Sequence, residues 1–313
     1  MEAESMAMKV LLTGADGFLG RALAQALAGT AGIGTLILVD RAFHGQPPAG
    51  AECRDGDLAN PAFLDVLFAD PPDAVIHLAS VPGSLAEKEP ELGWQANVLA
   101  PFGLVRRAAG RRRADGTPLR FIFASSIAVY GDLGVAPVTP DTPARPRMSY
   151  GAHKLMTEIL VSDLTRRGEL SGVSLRLPGL VARPLTESGH GSAFMSRVIH
   201  MAARGEPYDC PVPEDAAAWW MSREACVAAF LHALATAGGP SVVQLPALHL
   251  TAGVVAAAAA GLHGHRPRIT WGDDPGLTRL FGRFPPLDQR AAEAAGYQAD
   301  RDAEALARAA LTA

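Results

Sequence analysis

Lys9-Val10-Leu11-Leu12-Thr13-Gly14-Ala15-Asp16-Gly17-Phe18-Leu19-Gly20 is the stretch that decides the fold. Its first five residues form a short apolar run, the mark of a strand buried on both faces. The run stops at a glycine, and Phe18 to Ala28 then continues with helical spacing. The three glycines repeat every third residue between strand and helix. Glycine there permits a tight turn, close approach of backbone to a pyrophosphate and close helix–strand packing. The phosphate would lie at the helix N-terminus, against the amides of Gly14, Gly17, Phe18, Leu19 and Gly20.

Outward from that turn, the strand–helix alternation repeats. Thr35–Asp40, Ala74–Ala79, Leu119–Ala124 and Val173–Leu177 read as further strands, and a helix over about 94–113 and another from Tyr150 to Arg167 lie between them. Regular alternation from 9 to 177 predicts an α/β fold with a doubly wound parallel (Rossmann) sheet. The expected domain division is an NAD-binding part over 8–177, with a later segment near 218–248 returning to it, and a smaller, irregular C-terminal substrate lobe over 178–313. Prolines and glycines crowd that second part, with helices expected at about 192–204, 222–236, 251–261 and 301–311.

Asp40 ends the second strand about 20 residues past the glycine turn, where an acid would bond the hydroxyls of an adenosine ribose. A carboxylate there repels a 2′-phosphate, so NAD is favoured over NADP, although the neighbouring Arg41 could tolerate that phosphate. Asp57-Leu58 reads two ways, as a contact to the adenine amino group or as a helix cap before Pro61. Tyr150-Gly151-Ala152-His153-Lys154 puts a phenol and an ammonium four residues apart on one helix face. A lysine and a nicotinamide would together lower a phenol from its ordinary value of about 10 and make it a base. Ser125 and Ser126 follow the fourth strand, at the carboxyl edge where such sheets build their sites. His153 points about 100° around the helix from the pair and reads as structural.

Other classes find little support. The 313 residues are 49 % hydrophobic with a net charge of −4, which gives no footprint for nucleic acid or an anionic membrane. Cys53, Cys210 and Cys226 lack disulfide or metal spacing and read as free buried thiols of a reducing, cytoplasmic compartment. His263 and His265 lack ligand partners, and no Gly-x-Ser-x-Gly elbow is present. The start has no apolar signal segment, residues 1–7 read as a leader, and the Val254–Gly261 run is too short to span a membrane. Arg106-Arg107 and Arg111-Arg112-Arg113 read as a solvated helix C-terminus.

Jointly, Thr-Gly-x-x-Gly-x-x-Gly, Asp40, Asp57-Leu58, His77-Leu78-Ala79, Ser125-Ser126 and Tyr150-x-x-x-Lys154 resemble the extended short-chain dehydrogenase/reductase superfamily, its NAD-dependent epimerase/dehydratase group. The resemblance implies an NAD-dependent oxidoreductase with Ser126, the serine just before x-x-Val-Tyr-Gly, as hydroxyl orienter. It implies Tyr150 as base and Lys154 as the residue that sets its pKa and bonds the nicotinamide ribose. It further implies that Leu78, Ala79 and Ser80 line the cofactor, that Asn97 supports the site, and that Pro178 lies near the nicotinamide. A homodimer through the helices at about 94–113 and 150–167 is a further implication.

Met148–Lys154, Leu175–Pro178, Val181–Pro184, Cys210–Pro213 and the stretch from Trp219 to His232 are similar to members that oxidise the C2 hydroxyl of a four-carbon sugar acid such as D-erythronate. Nucleotide-sugar epimerases usually carry an Asn soon after the position of Arg176, and this chain does not. A sugar-acid substrate needs a cationic contact. Arg183 is the first candidate, with a plain salt bridge or helix-end contact as its alternative reading. Ser80, Ser125, Ser192 and Trp219 are weaker pocket candidates. Two rival functions stand beside this one: a nucleotide-sugar epimerase or dehydratase with recycled NAD, and a non-catalytic NAD-binding regulator.

Overall fold

The computed structural model describes residues 7–185 and 192–312. All but the last residue of the leader expected over 1–7 therefore lies outside the described residues.

The chain opens with β1 (Met8–Thr13), α1 (Phe18–Ala28), β2 (Ile33–Asp40) and β3 (Glu52–Asp55). It continues through α2 (Pro61–Leu67), β4 (Ala74–His77), α3 (Gly83–Lys88), α4 (Pro90–Trp94), a π-helical turn at Gln95–Leu99 and α5 (Ala100–Ala108). Then come β5 (Arg120–Ser126), α6 (Ser149–Arg166), β6 (Ser171–Leu177), β7 (Gly179–Val181), α7 (Ala193–Arg204) and β8 (Tyr208–Cys210). The remainder is β9 (Ala217–Ser222), α8 (Arg223–Ala235), β10 (Val242–Gln244), β11 (Leu248–Thr251), α9 (Ala252–Gly261), β12 (Ile269–Trp271), α10 (Pro275–Phe281), α11 (Arg290–Ala294) and α12 (Ala303–Leu311).

Seven strands make one parallel sheet in the order β10-β6-β5-β4-β1-β2-β3. The chain runs outward from β1 to β3 and then returns to place β4 on the other side of β1. That reversal is the switch point, where the carboxyl ends of the strands leave a crevice. Side-chain alternation divides the core: Val10 and Leu12 pack with Leu23, Leu27 and Phe230 of α1 and α8, while Leu11 packs with Phe121, Leu104 and Leu164 on the α5–α6 side. The late segment contributes β10 to the sheet edge and α8 to the face that α1 covers. Buried Arg120 ties β5 to that face, donating from Nε at 2.9 Å and Nη2 at 2.7 Å to the Ala233 carbonyl.

A second cluster forms under α7, α9 and α12. Its helix faces are alanine-rich, with Ala202, Ala203, Ala256, Ala259, Ala307 and Ala310 all buried. Its strands are short, β7 and β9 parallel, β9 and β11 antiparallel, and β8 parallel to β12.

Two expectations change here. The single helix over 94–113 is three pieces and ends at Ala108, two residues before Gly110 takes φ +74°. Arg106 and Arg107 occupy its last turn, but Arg111–Arg113 lie in the loop beyond it, with Arg113 near Asp115. Cys53 is exposed rather than buried, because β3 is the sheet's edge strand; Cys210 and Cys226 are buried. Among the described residues no helix is long and apolar enough to cross a membrane.

Candidate active site

The glycine turn is dictated by contact. A Cβ on Gly14, whose φ is +69°, would lie 2.7 Å from the Ala79 nitrogen, and one on Gly20 would lie 2.0 Å from the Gly14 carbonyl oxygen. Only backbone fits at either place. Gly17 starts α1 with no side-chain cap and no acid in the first turn. The leading amides of Phe18, Leu19 and Gly20 are thus left to an anion, a fit for the pyrophosphate of NAD.

Two carboxylates hold this turn. Asp40 at the end of β2 accepts from the Asp16 amide at 2.8 Å and the Arg41 amide at 2.7 Å. Asp16 accepts from the amides of His44 at 2.8 Å and Gly45 at 3.0 Å, and from Arg21. Burial works to raise the Asp16 carboxyl, but Arg21 and those amides outweigh it and hold the pKa at about 2. Asp57 accepts from the Ala59 amide at 2.9 Å, whereas the residue that caps α2 is Asn60. The cap reading of Asp57 is therefore corrected: it starts a turn one step earlier. The Leu58 side chain is spent in the core with Leu64 and Leu67.

Leu78, Ala79 and Ser80 leave β4 directly opposite, with the Leu78 amide donating to the Thr13 carbonyl at 3.1 Å. Asn97 is buried in the π-helical turn and grips the backbone of Val81, accepting from its amide at 2.9 Å and donating to its carbonyl at 3.1 Å. Its side chain thereby positions the loop after Ser80.

Tyr150 stands in the first turn of α6, and the hydroxyls of Ser80 and Ser126 act on its phenol. Ser126 also accepts from the Ala128 amide at 3.1 Å, which fixes its rotamer. Lys154 is only 2 % exposed; its Nζ donates to the Ala124 carbonyl at 2.7 Å and lies 4.8 Å from the Phe123 ring and 5.4 Å from the Tyr150 ring. Burial lowers the Lys154 pKa to about 7 against the opposing charge of Glu158. Burial raises the Tyr150 phenol, opposed by Ser80, by the charge of Arg183 and by Ser126. The cation that acts on the phenol here is Arg183, which the reading of the Tyr–Lys pair had not anticipated.

Ser125 leaves the pocket set. It is 1 % exposed and its hydroxyl bonds the Glu158 carboxylate, which also takes Arg176 Nε at 3.0 Å and Nη2 at 2.7 Å. Adjacent residues on a strand cannot both face the crevice, and Ser126 takes that place. Trp219 is likewise corrected: it is fully buried, donates from Nε1 to the Pro285 carbonyl at 2.8 Å, and packs against Tyr130 and Phe284. It is core between the two parts of the chain.

Pro178 is buried between β6 and β7, and Ser192 precedes α7 without capping it. Arg183 follows β7 with its guanidinium 5.3 Å from the Phe18 ring. His153 packs edge-on against Trp94. No site role was expected of Glu158, Arg176 or Arg223; the i,i+4 step from Lys154 to Glu158 was the available signal. Among the described residues no three His, Cys, Asp or Glu side chains gather to hold a metal ion.

Residues 10–245 match the NAD dependent epimerase/dehydratase family. The chain is 34 % identical over 319 residues to a D-erythronate dehydrogenase of Cupriavidus necator, covering 96 % of this chain and 97 % of that one. It is 31 % identical over 304 residues to a D-erythronate dehydrogenase of Haemophilus influenzae, with 94 % and 95 % covered. A solved structure described as a nucleoside-diphosphate-sugar epimerase from Agrobacterium tumefaciens superposes with a TM-score of 0.86 at 26 % identity, covering 96 % of this chain and 92 % of that one.

Proposed function

From the premise that the chain belongs to the NAD-dependent epimerase/dehydratase family, as an NAD-using oxidoreductase of CH–OH groups, we propose that it oxidises the C2 hydroxyl of a small sugar acid, D-erythronate, to the 2-oxo acid. The observation that carries this reading is the Tyr150–Lys154 pair beside the switch point, with Lys154 Nζ 5.4 Å from the phenol ring and the Ser80 and Ser126 hydroxyls acting on that phenol. Near-full-length likeness to two D-erythronate dehydrogenases supports the choice of substrate.

On this reading the glycine turn, Leu78, Ala79 and Asp40 hold NAD, which when bound supplies a nicotinamide ring that accepts hydride. Asp57 would meet the adenine, Asn97 would act by positioning Val81, and Pro178 would border the nicotinamide. The substrate hydroxyl takes the place between Ser126 and Tyr150, and Tyr150 Oη removes its proton. Burial keeps that phenol protonated near neutral pH, so cations must pull it down. The charge of Arg183 acts on it, and Lys154 Nζ lies 5.4 Å from its ring. Arg183 and Ser192 would receive the carboxylate end.

The test is NADH absorbance on mixing the purified protein with NAD and a panel of aldonic acids. D-erythronate is expected to head the panel. Silence across the panel would remove the substrate assignment, and cofactor that stays bound through purification without net NADH would favour the recycling epimerase.

The assembly we favour is a homodimer through α4–α5 and α6, whose flank carries exposed Trp94, Leu99 and Ile159. A cytoplasmic setting fits the three free thiols.

A further inference from the structure

We propose that Glu158 is a positioning residue of this site, the buried counter-charge that keeps the Lys154 ammonium charged beside the Tyr150 phenol. Ser125 and Arg176 hold it in that place. The inference deepens the reading of Tyr150 as base, and rests on it for the effect on rate.

Tyr150, Lys154 and Glu158 stand at four-residue steps on one face of α6. Three successive residues of β5 meet that line. Ser126 acts on the Tyr150 phenol, the Ala124 carbonyl accepts from Lys154 Nζ at 2.7 Å, and the Ser125 hydroxyl donates to Glu158. From the neighbouring strand β6, Arg176 donates to the same carboxylate from Nε at 3.0 Å and Nη2 at 2.7 Å. The Arg176 guanidinium carbon lies 4.8 Å from the Tyr130 ring centroid, which holds the fork in turn. Three donors from two strands thus fix a carboxylate that is only 2 % exposed.

Stability alone does not call for this arrangement. Taking a carboxylate and a guanidinium out of water is costly, and an apolar pair of similar volume commonly serves a core as well. What an apolar pair cannot supply is charge. Burial draws the Lys154 pKa down to about 7, and the charge that opposes it is that of Glu158. The lysine therefore stands at the edge of neutrality, and a neutral amine exerts no pull on a phenol. The groups on neighbouring elements do not replace Glu158. His77 of β4 is held at about 3 by burial and by Lys154, so it is uncharged, and burial likewise keeps the Tyr130 phenol protonated. Arg176 is a cation whose charge the carboxylate already meets. The charge of Arg183 acts on the Tyr150 phenol and is common to the parent and the variants below.

The experiment reads the lysine directly. The chain has three lysines, Lys9, Lys88 and Lys154, so isotope-labelled lysine gives few side-chain NMR signals, and K154M assigns the one in the site. The parent, E158Q and E158D are titrated in this way, and kcat/KM for the acid is followed over the same pH range. E158Q keeps the shape of the side chain and removes its charge. The Lys154 midpoint is expected to fall by about one pH unit or more, the effect of losing a nearby opposite charge. The acid limb of kcat/KM should move to higher pH, with the loss of rate shrinking as pH rises, because the phenol must ionise without the ammonium beside it. E158D keeps the charge and is expected to return Lys154 toward the parent midpoint. Should E158Q unfold because Arg176 is left unpaired, E158Q/R176M, which leaves neither charge behind, is scored in its place. The proposal is overturned if the Lys154 midpoint stays put in the variant without the carboxylate, the result a purely structural role would give. It is equally overturned if E158D shifts the midpoint as far as E158Q. A midpoint that falls while the acid limb stays in place would uphold Glu158 as the counter-charge and overturn instead the reading of Tyr150 as a base tuned by Lys154.

Discussion

The seven-stranded sheet and the cluster under α7, α9 and α12 bury comparable chemistry by different means. In the sheet, runs such as Leu36–Val39 and Phe121–Ala124 are buried residue after residue, because helices cover both faces. In the other cluster, strands of three to six residues are held by alanine faces of helices set close together. The first region sets the site by topology: wherever such a sheet reverses its strand order, a crevice follows. The second sets Arg183 by packing, through Ser196 and His200 of α7. One region is thus robust in geometry, and the other is tuned by side-chain volume.

The largest expected effect lies at the centre of the first region. Tyr150→Phe should lower kcat by about 10²- to 10⁴-fold, the usual contribution of a positioned acid–base group. Its NAD affinity, measured by calorimetry, should stay within about twofold, since the phenol oxygen alone is lost. Equal loss of both would mean that the tyrosine serves the fold.

A paired substitution breaks the comparison more directly. Gly20→Ala forces a methyl to 2.0 Å from the Gly14 carbonyl oxygen, and backbone there has nowhere to go. Ala256→Leu overfills the α7–α9–α12 contact. Each should destabilise by about 1–3 kcal/mol in thermal melts. Gly20→Ala should also abolish NAD binding, while Ala256→Leu should keep NAD binding and raise the KM of the acid. Loss of NAD binding in both would show that the regions are not separable in this way.

The smallest effect is electrostatic. Lys154 titrates at about 7 in the folded protein, well below its ordinary 10.5. Between those values the unfolded chain binds the extra proton, so this lysine's contribution to stability rises with pH. The melting-temperature advantage of Lys154→Met over the parent should therefore shrink from pH 7 to pH 9. An advantage that is constant with pH would place the titration elsewhere.

What could be read in advance follows the same division. The bounds of α1 and the start of α6 came from periodicity and glycine spacing, which are local properties. The π-helical turn that interrupts 94–113 has no such signature, and the loop at Gly110 ended the helix before its arginines did. Ser125 and Trp219 misled because burial is decided by distant partners, Glu158 for one and Pro285 for the other. Arg223 escaped notice for a related reason: it reaches Phe18 across more than half the chain, and no short pattern encodes that distance.

Asp40 has a consequence for any attempt to retrain coenzyme preference. The carboxylate proposed to recognise the ribose also accepts the Asp16 amide, so recognition and the anchoring of the glycine turn fall to the same group. Exchanging it for a small neutral residue to admit a phosphorylated coenzyme would unlatch the loop it belongs to. A successful redesign must therefore supply a new acceptor for that amide before it supplies a new specificity.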